Sequence, residues 1–390
     1  MPLRILIAPS GYKESLDAES VAAAIGAGAL RAGDVEVVEL ALADGGEGTA
    51  ATLARVTNGQ IHRCSVSGPL GDPIESHFAM LGTVDERTAV VELAAAAGLK
   101  HVPLAQRDPL RTTTRGVGEL IVAGLDAGAT RVIVGCGDSG VNDGGAGIAQ
   151  ALGARLLDRD GNDIPEGGIG LDRIDRIDLS DLDARLATTS IEVACNIQNV
   201  LTGPNGVARL FGPQKGASPD DVERMARGLD LYAGIIDRDL GIDVRSMPGG
   251  GASGGAGAGL HALLGATLHS RFDLLFPYFD LDRAIAAADL VITAEGGLDF
   301  KTARGKIPAE IGTRGRAAGK PVIVMAGTVG DDATVVLDHG VCAYFSTVER
   351  PQTLAEAMDR TREQLELLAE HVVRAFLAGV AHGRDRSAND

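Results

Sequence analysis

Short aliphatic and β-branched runs alternate along this chain with longer stretches rich in Ala and Leu. The run at 3–8 predicts a buried strand and 14–31 the helix after it; 35–42 predicts a second strand and 48–57 a second helix. Further strands are predicted at 88–93, 131–135, 191–195, 290–294, 321–326 and 343–347, most of them followed by helical patterns. Strands that alternate with helices pair in parallel, so the pattern predicts an α/β fold. Functional groups in such sheets gather in the loops at the carboxyl ends of the strands.

The clearest short strand–loop–helix units lie at the two ends of the chain, and 65–75 and 247–257 are rich in turn residues. This predicts a discontinuous Rossmann- or flavodoxin-like domain built from 1–66 plus 285–390, with a second α/β domain, 67–284, inserted into it. The polar tail at 381–390 is expected to fray. The run of apolar residues before Ser10 is too short for a secretory signal, and no stretch of about 18 apolar residues occurs, so a soluble, cytoplasmic protein is expected.

Composition changes this picture in three respects. The 390 residues and 45% hydrophobic content suit two globular domains. The net charge of −17 makes nucleic acid and anionic membranes poor partners. The four cysteines, Cys64, Cys136, Cys195 and Cys342, lie far apart with no zinc-like spacing and fit a reducing compartment. The 53 glycines, about double the usual share, are the anomaly.

Those glycines cluster. Asp44-Gly-Gly-Glu-Gly-Thr49 follows the second strand and Gly135-Cys-Gly-Asp-Ser-Gly-Val-Asn-Asp-Gly-Gly-Ala-Gly147 follows the strand at 131. Pro248-Gly-Gly-Gly-Ala-Ser-Gly-Gly-Ala-Gly-Ala-Gly259 opens a helix, and Glu295-Gly-Gly-Leu-Asp299 follows the strand at 290. Glycine at such places serves either tight turns and close helix–sheet packing or a backbone that points N–H groups at an anion. Four clusters, three of them holding carboxylates, tilt the reading toward phosphate chemistry. Phosphoryl transfer needs Mg²⁺, which takes one or two protein carboxylates, and Asp44, Glu47, Asp138, Asp143, Glu295 and Asp299 are the available set. The lysines are few: Lys13, Lys100, Lys215, Lys301, Lys306 and Lys320. Lys13 follows the first strand, Lys215 sits in a glycine-flanked turn and Lys306 follows Gly305; a lysine so held is either a solvated loop charge or a clamp for phosphate or a carboxylate. No P-loop motif, GxxxxGK[ST], is present.

The strings Ala8-Pro-Ser-Gly-Tyr-Lys-Glu-Ser-Leu16, Ala43-Asp-Gly-Gly-Glu-Gly-Thr49, Arg107-Asp-Pro-Leu-Arg-Thr-Thr-Thr-Arg-Gly116, Asn142-Asp-Gly-Gly-Ala-Gly147 and Phe211-Gly-Pro-Gln-Lys-Gly-Ala217 together resemble the bacterial glycerate kinases that make 2-phosphoglycerate. The resemblance covers nearly the whole chain. It implies transfer of the γ-phosphoryl group of ATP, with Mg²⁺, to D-glycerate, and two α/β domains, one discontinuous, with the active site in the cleft between them. On this basis Lys13, Asp44, Glu47, Asp138 and Lys215 are expected to be catalytic, with Asp44 and Asp143 at the metal. Ser10, Arg115, Ser139, Asn142, Asn196 and Gln214 are expected at the substrate. Gly250, Gly251, Ser253, Gly254, Glu295, Asp299 and Lys306 are expected at the nucleotide. A monomer or homodimer is expected.

The chain departs from the family pattern in these same loops. Ser10 and Gly11 stand where the family carries an Asp-Ser pair, Asp138, Gly140 and Val141 surround Ser139, Asn196 replaces an aspartate and Gly297 an arginine. Asparagine can act neither as a general base nor as a charged metal ligand, and Asp138 is the candidate replacement. The alternatives are a divergent branch acting on another hydroxy acid, or a non-catalytic relative that binds nucleotide or hydroxy acid.

Overall fold

The computed structural model describes residues 2–12, 15–83, 86–300, 302–303 and 305–387, with side chains to 382. Lys13, expected to be catalytic, lies outside the described residues. In chain order the strands are β1 (Leu3–Ile7), β2 (Val35–Glu39), β3 (Gln60–Ser67), β4 (Pro73–Met80), β5 (Thr88–Glu92), β6 (Arg131–Gly135) and β7 (Arg155–Leu157). They continue with β8 (Arg176–Asp178), β9 (Ser190–Cys195), β10 (Thr267–Ser270), β11 (Leu290–Leu298), β12 (Val322–Val329) and β13 (Ala343–Ser346).

The chain divides into two compact units, Met1–Leu42 with Phe279–Asp390, and Ala43–Tyr278. The terminal unit holds one five-stranded sheet in the order β13-β12-β11-β1-β2, parallel throughout. Counted within the unit this is 2-1-3-4-5, the flavodoxin-like order, whose switch point falls between β1 and β11. Ile5, Ile7, Leu290 and Ile292 are fully buried, because helices cover both faces of the sheet and leave no solvent side. The helix Ala18–Ala32 starts where the Asp17 side chain accepts from the Ser20 amide, and it packs on the helix Thr361–Ser387. The chain thus stays helical through Ser387, well into the tail expected to fray.

The inserted unit holds a six-stranded sheet, β10-β9-β6-β5-β4-β3. Its first four strands are parallel, and β4 and β3 close the far edge antiparallel. Val91, Val134 and Val193 pack with Leu120 and Ile121 in one apolar core. A second core surrounds the helix Pro219–Leu240, where Leu229, Tyr232 and Ile236 are fully buried. That helix begins with a capping box between Ser218 and Asp221, which explains the sharp start after the Lys215 turn.

The unit boundaries at 42 and 278 differ from the expected 66 and 284. Residues 43–66 belong to the inserted unit because β3 pairs with β4 along its whole length, from Gln60↔Met80 to Ser67↔Pro73. The turn-rich stretch at 65–75, taken as a boundary, is the bend of this hairpin, closed by the Gly68 amide donating to the Asp72 carbonyl at 2.7 Å. Among the described residues no helix is long and apolar enough to cross a membrane, and all four cysteines are free thiols.

Candidate active site

In the inserted unit several candidate groups collect at the carboxyl ends of the parallel strands. The loop 44–48 leads into the helix Thr49–Val56 and lies against the ends of β6 and β9. The Asp44 side chain accepts from the Gly46 amide (3.1 Å) and from an Arg271 guanidinium nitrogen (3.0 Å), which also reaches the Asp44 carbonyl (3.2 Å). Arg271 is the first residue after β10. Glu47 pairs with Lys100 at 2.6 Å, and its amide donates to Asp138 Oδ2 at 3.2 Å. Asp44, Glu47 and Asp138 are therefore brought together. Asp138 holds a left-handed backbone, φ 51°, costly for any residue but glycine and tolerable for aspartate.

The amides of this loop point inward. Gly45 donates to Thr49 Oγ1, while Gly48 and Ala50 donate to the two carboxylate oxygens of Glu92, the last residue of β5. The glycines serve close approach instead: a Cβ on Gly137 would stand 2.5 Å from the Gly46 Cα. The packing reading of these glycines thus accounts for the 44–48 loop, because its donors are spent on protein oxygens.

The loop after β6 is built around Asp143, which is fully buried. Its Oδ2 accepts from Thr114 N (2.7 Å), Thr114 Oγ1 (2.8 Å) and Gly147 N (3.3 Å), and its Oδ1 from Gly145 N (3.1 Å). Burial pushes its acidity down despite these donors. Lys215, 3% exposed, donates to the Val141 carbonyl (2.6 Å) and to Ser139 Oγ (3.2 Å). Burial lowers its pKa to about 8, and the charge of Asp143 opposes that shift. Asn142 is buried, and neither its amide nitrogen nor its amide oxygen has a hydrogen-bond partner among the described residues.

The 249–259 segment is a kinked turn that opens the helix Ala252–Leu264, with Ser253, Gly254 and Gly255 all at positive φ. A Cβ on Gly254 would fall 2.1 Å from the Val141 carbonyl oxygen, so this turn lies backbone to backbone on the Asp143 loop. The amides of Gly250 and Gly251 donate to Met247 and Asn199 carbonyls, which removes them from the phosphate cradle expected there. Ser253 bonds the Cys136 thiol. The Asn196 side chain accepts from the Gln198 amide at 3.0 Å, closing its own turn. Arg115 pairs with Glu119 and Glu166, and Gln214 is exposed.

In the terminal unit the candidates sit at the switch point of the sheet. Ser10, just beyond β1, donates through its amide and hydroxyl to the Ala294 carbonyl at 3.0 and 2.9 Å. Glu295 on β11 pairs with Lys306 at 2.7 Å, and Lys306 also reaches the Gly297 carbonyl at 3.4 Å. Burial, with a smaller contribution from the charge of Glu295, raises the pKa of Tyr12, whose hydroxyl donates to the Met325 carbonyl at 2.9 Å. The Asp299 amide donates to Thr302 Oγ1. The residues expected at the nucleotide thus divide: Gly250, Gly251, Ser253 and Gly254 lie in the inserted unit, and Glu295, Asp299 and Lys306 in the terminal one.

A family model described as the glycerate kinase family matches residues 5–377. This chain belongs to the glycerate kinase family. It is 45% identical to the glycerate 2-kinase of Escherichia coli (strain K12), over 97% of this chain and 99% of that one. It is 44% identical to the glycerate kinase of Bacillus subtilis (strain 168), over 96% and 98%. A solved structure from Salmonella typhimurium LT2, assigned to glycerate kinase 2, matches with a TM-score of 0.77 at 46% identity, covering 97% of this chain and 99% of that one. Membership makes the chain a kinase, with a small-molecule acceptor and ATP as its substrates.

For a glycerate kinase the metal can be tested against the donor set. Among the described residues no three His, Cys, Asp or Glu side chains are grouped to hold an ion. Mg²⁺ on nucleotide phosphates needs only one or two carboxylates beside water and phosphate oxygens, and Asp44 and Glu47, both open to solvent, fit that demand. Asp143 does not fit it, since both its oxygens are sealed among four donors. Three residues went unnoticed in the sequence: Thr114, Arg271 and Glu92. Glu92 carried a signal, as the lone charge in the apolar run Thr88-Ala-Val-Val-Glu-Leu-Ala-Ala-Ala-Ala97; Arg271 follows a strand too short to detect.

Proposed function

We propose that this chain transfers the γ-phosphoryl group of ATP, as its Mg²⁺ complex, to the 2-hydroxyl of D-glycerate. The observation that carries the reading is the full-length match to the glycerate kinase family, which includes a relative named glycerate 2-kinase. Asp44 and Glu47 would hold Mg²⁺, which would supply positive charge to neutralise the phosphates. Arg271 fixes the Asp44 carboxylate from behind. Lys215 supplies positive charge beneath the 139–142 backbone, toward which the glycerate carboxylate or the moving phosphoryl group is drawn. Asn142, buried with an unsatisfied amide, suits a polar group of the acceptor, because leaving such a group unpaired costs about 1–3 kcal/mol. Glu295 and Lys306 at the switch point are the nucleotide-handling candidates of the terminal unit. Most of the catalysis is then positioning and charge neutralisation.

The test is ATP consumption with D-glycerate, read through enolase, which accepts 2-phosphoglycerate and not 3-phosphoglycerate. Turnover without a mutase is expected. Turnover only on other hydroxy acids would replace glycerate as the acceptor, and binding of ATP–Mg²⁺ with no turnover on any acceptor would make the chain a non-catalytic relative.

A further inference from the structure

Glu92 ends β5 and is 1% exposed. An acid so buried must be repaid by hydrogen bonds, and its oxygens accept from the Gly48 amide at 3.2 Å and the Ala50 amide at 2.5 Å. These are donors at the start of the helix Thr49–Val56, which the helix itself cannot satisfy. The local sequence offers no cap, because the N-cap residue is Gly48 at φ 87°. A side chain from another strand therefore does what a Ser or Asp at that position would do. The position it fixes is that of the 44–48 loop, which carries Asp44 and Glu47.

Resting on the kinase reading above, we propose that Glu92, as its carboxylate, is a positioning residue that sets the 44–48 loop for phosphoryl transfer. The ionised group complements the positive end of the helix and offers full acceptor strength to both amides. Its pKa is raised to about 7: burial, the largest influence, pushes it up, and the two amides and Lys100 keep it from rising further. Glu47, on the loop itself, adds to the upward shift. His77 on β4 lies in the field of the same Lys100 and Glu47, and the segment Leu93–Ala97 contributes no charge. The loop is thus held firmly above neutrality and loosened below it.

The experiment uses full-length protein in the D-glycerate assay, begun with wild type; no wild-type turnover would refute the kinase reading and leave Glu92 out of the question. With turnover present, kcat should fall on the acid side with an apparent pKa near 7. Glu92→Gln, of matching volume, should lower kcat about tenfold, with KM for glycerate within twofold of wild type, and abolish the acid limb. Lys100→Met should move the wild-type limb to higher pH, a readout that does not depend on Glu92→Gln folding. Wild-type kcat flat from pH 6 to 8, or Glu92→Gln with an unchanged kcat and limb, would overturn the proposal.

Discussion

Asp143→Asn separates a scaffold role from a metal-ligand role. The carboxylate accepts four hydrogen bonds in a fully buried site. An asparagine presents one acceptor oxygen and an NH₂ that can only donate. In its better orientation the oxygen replaces Oδ2 and keeps the two Thr114 donors and Gly147. The NH₂ then faces the Gly145 amide, two donors head to head. That loss costs about 1–3 kcal/mol, and the three surviving bonds lose their charge assistance, roughly half their strength. Burying a neutral group is easier than burying an anion, which returns part of the cost. A net loss of about 2–4 kcal/mol follows, and at roughly 2–4 °C per kcal/mol for a unit of this size Tm should drop by about 4–16 °C. Thermal unfolding measures it, beside the Mg²⁺ concentration giving half-maximal kinase activity, which should not move. A Tm within about 2 °C of wild type, together with a several-fold higher Mg²⁺ requirement, would refute the scaffold argument and make Asp143 a metal ligand.

Asp44→Asn and Lys215→Met should each lower kcat/KM for D-glycerate at least about tenfold, near 1.4 kcal/mol, in the enolase-coupled assay. Wild-type values in both would dismantle the inserted-unit site. Arg271→Ala should lower kcat about tenfold by releasing Asp44, and Arg271→Lys should recover part of it, since one guanidinium nitrogen makes both contacts; no difference between the two variants would count against a positioning role. Lys215 also leaves a mark on stability. Its folded pKa of about 8 lies below its ordinary value, so between that pH and about 10.5 the unfolded chain binds more protons and folding gains as pH rises. The unfolding free energy of wild type relative to Lys215→Met should rise across that window, by up to about 3 kcal/mol. A constant difference in denaturant titrations at pH 7.5 and 10 would contradict the buried, misfit ammonium.

What could be read from the residues follows from how local each signal is. Most of the parallel strands were evident because a strand buried on both faces is rich in aliphatic residues, as at Leu3-Arg-Ile-Leu-Ile7 and Arg131-Val-Ile-Val-Gly135, whereas the four-residue β10 was not. The β3–β4 hairpin was missed because its residues are mostly half-exposed and polar, and Gly68-Pro-Leu-Gly-Asp-Pro73 announces only the turn. The glycine loops were rightly singled out, but the use of their amides depends on distant partners. Glu92, 42 residues from Ala50, and the Asn199 carbonyl, which takes the Gly251 amide, decide it, and no local pattern names them. The same holds for Arg271, whose part follows from its meeting Asp44 227 residues away.

The insertion of one unit within the other imposes an order of events on synthesis. The segment Met1–Leu42 emerges ahead of the inserted unit and can pair β1 with β2 before that unit is made. The other edge of β1 waits for β11, through Ile5↔Leu290, until the whole of Ala43–Tyr278 has left the ribosome. At about 5–20 residues per second that wait is roughly ten to fifty seconds. During it the continuous inserted unit can complete its own core, while an apolar strand edge stays open to other chains. β1, an inner strand that needs β11 to cover its second edge, is therefore the strand that most needs shielding by a chaperone.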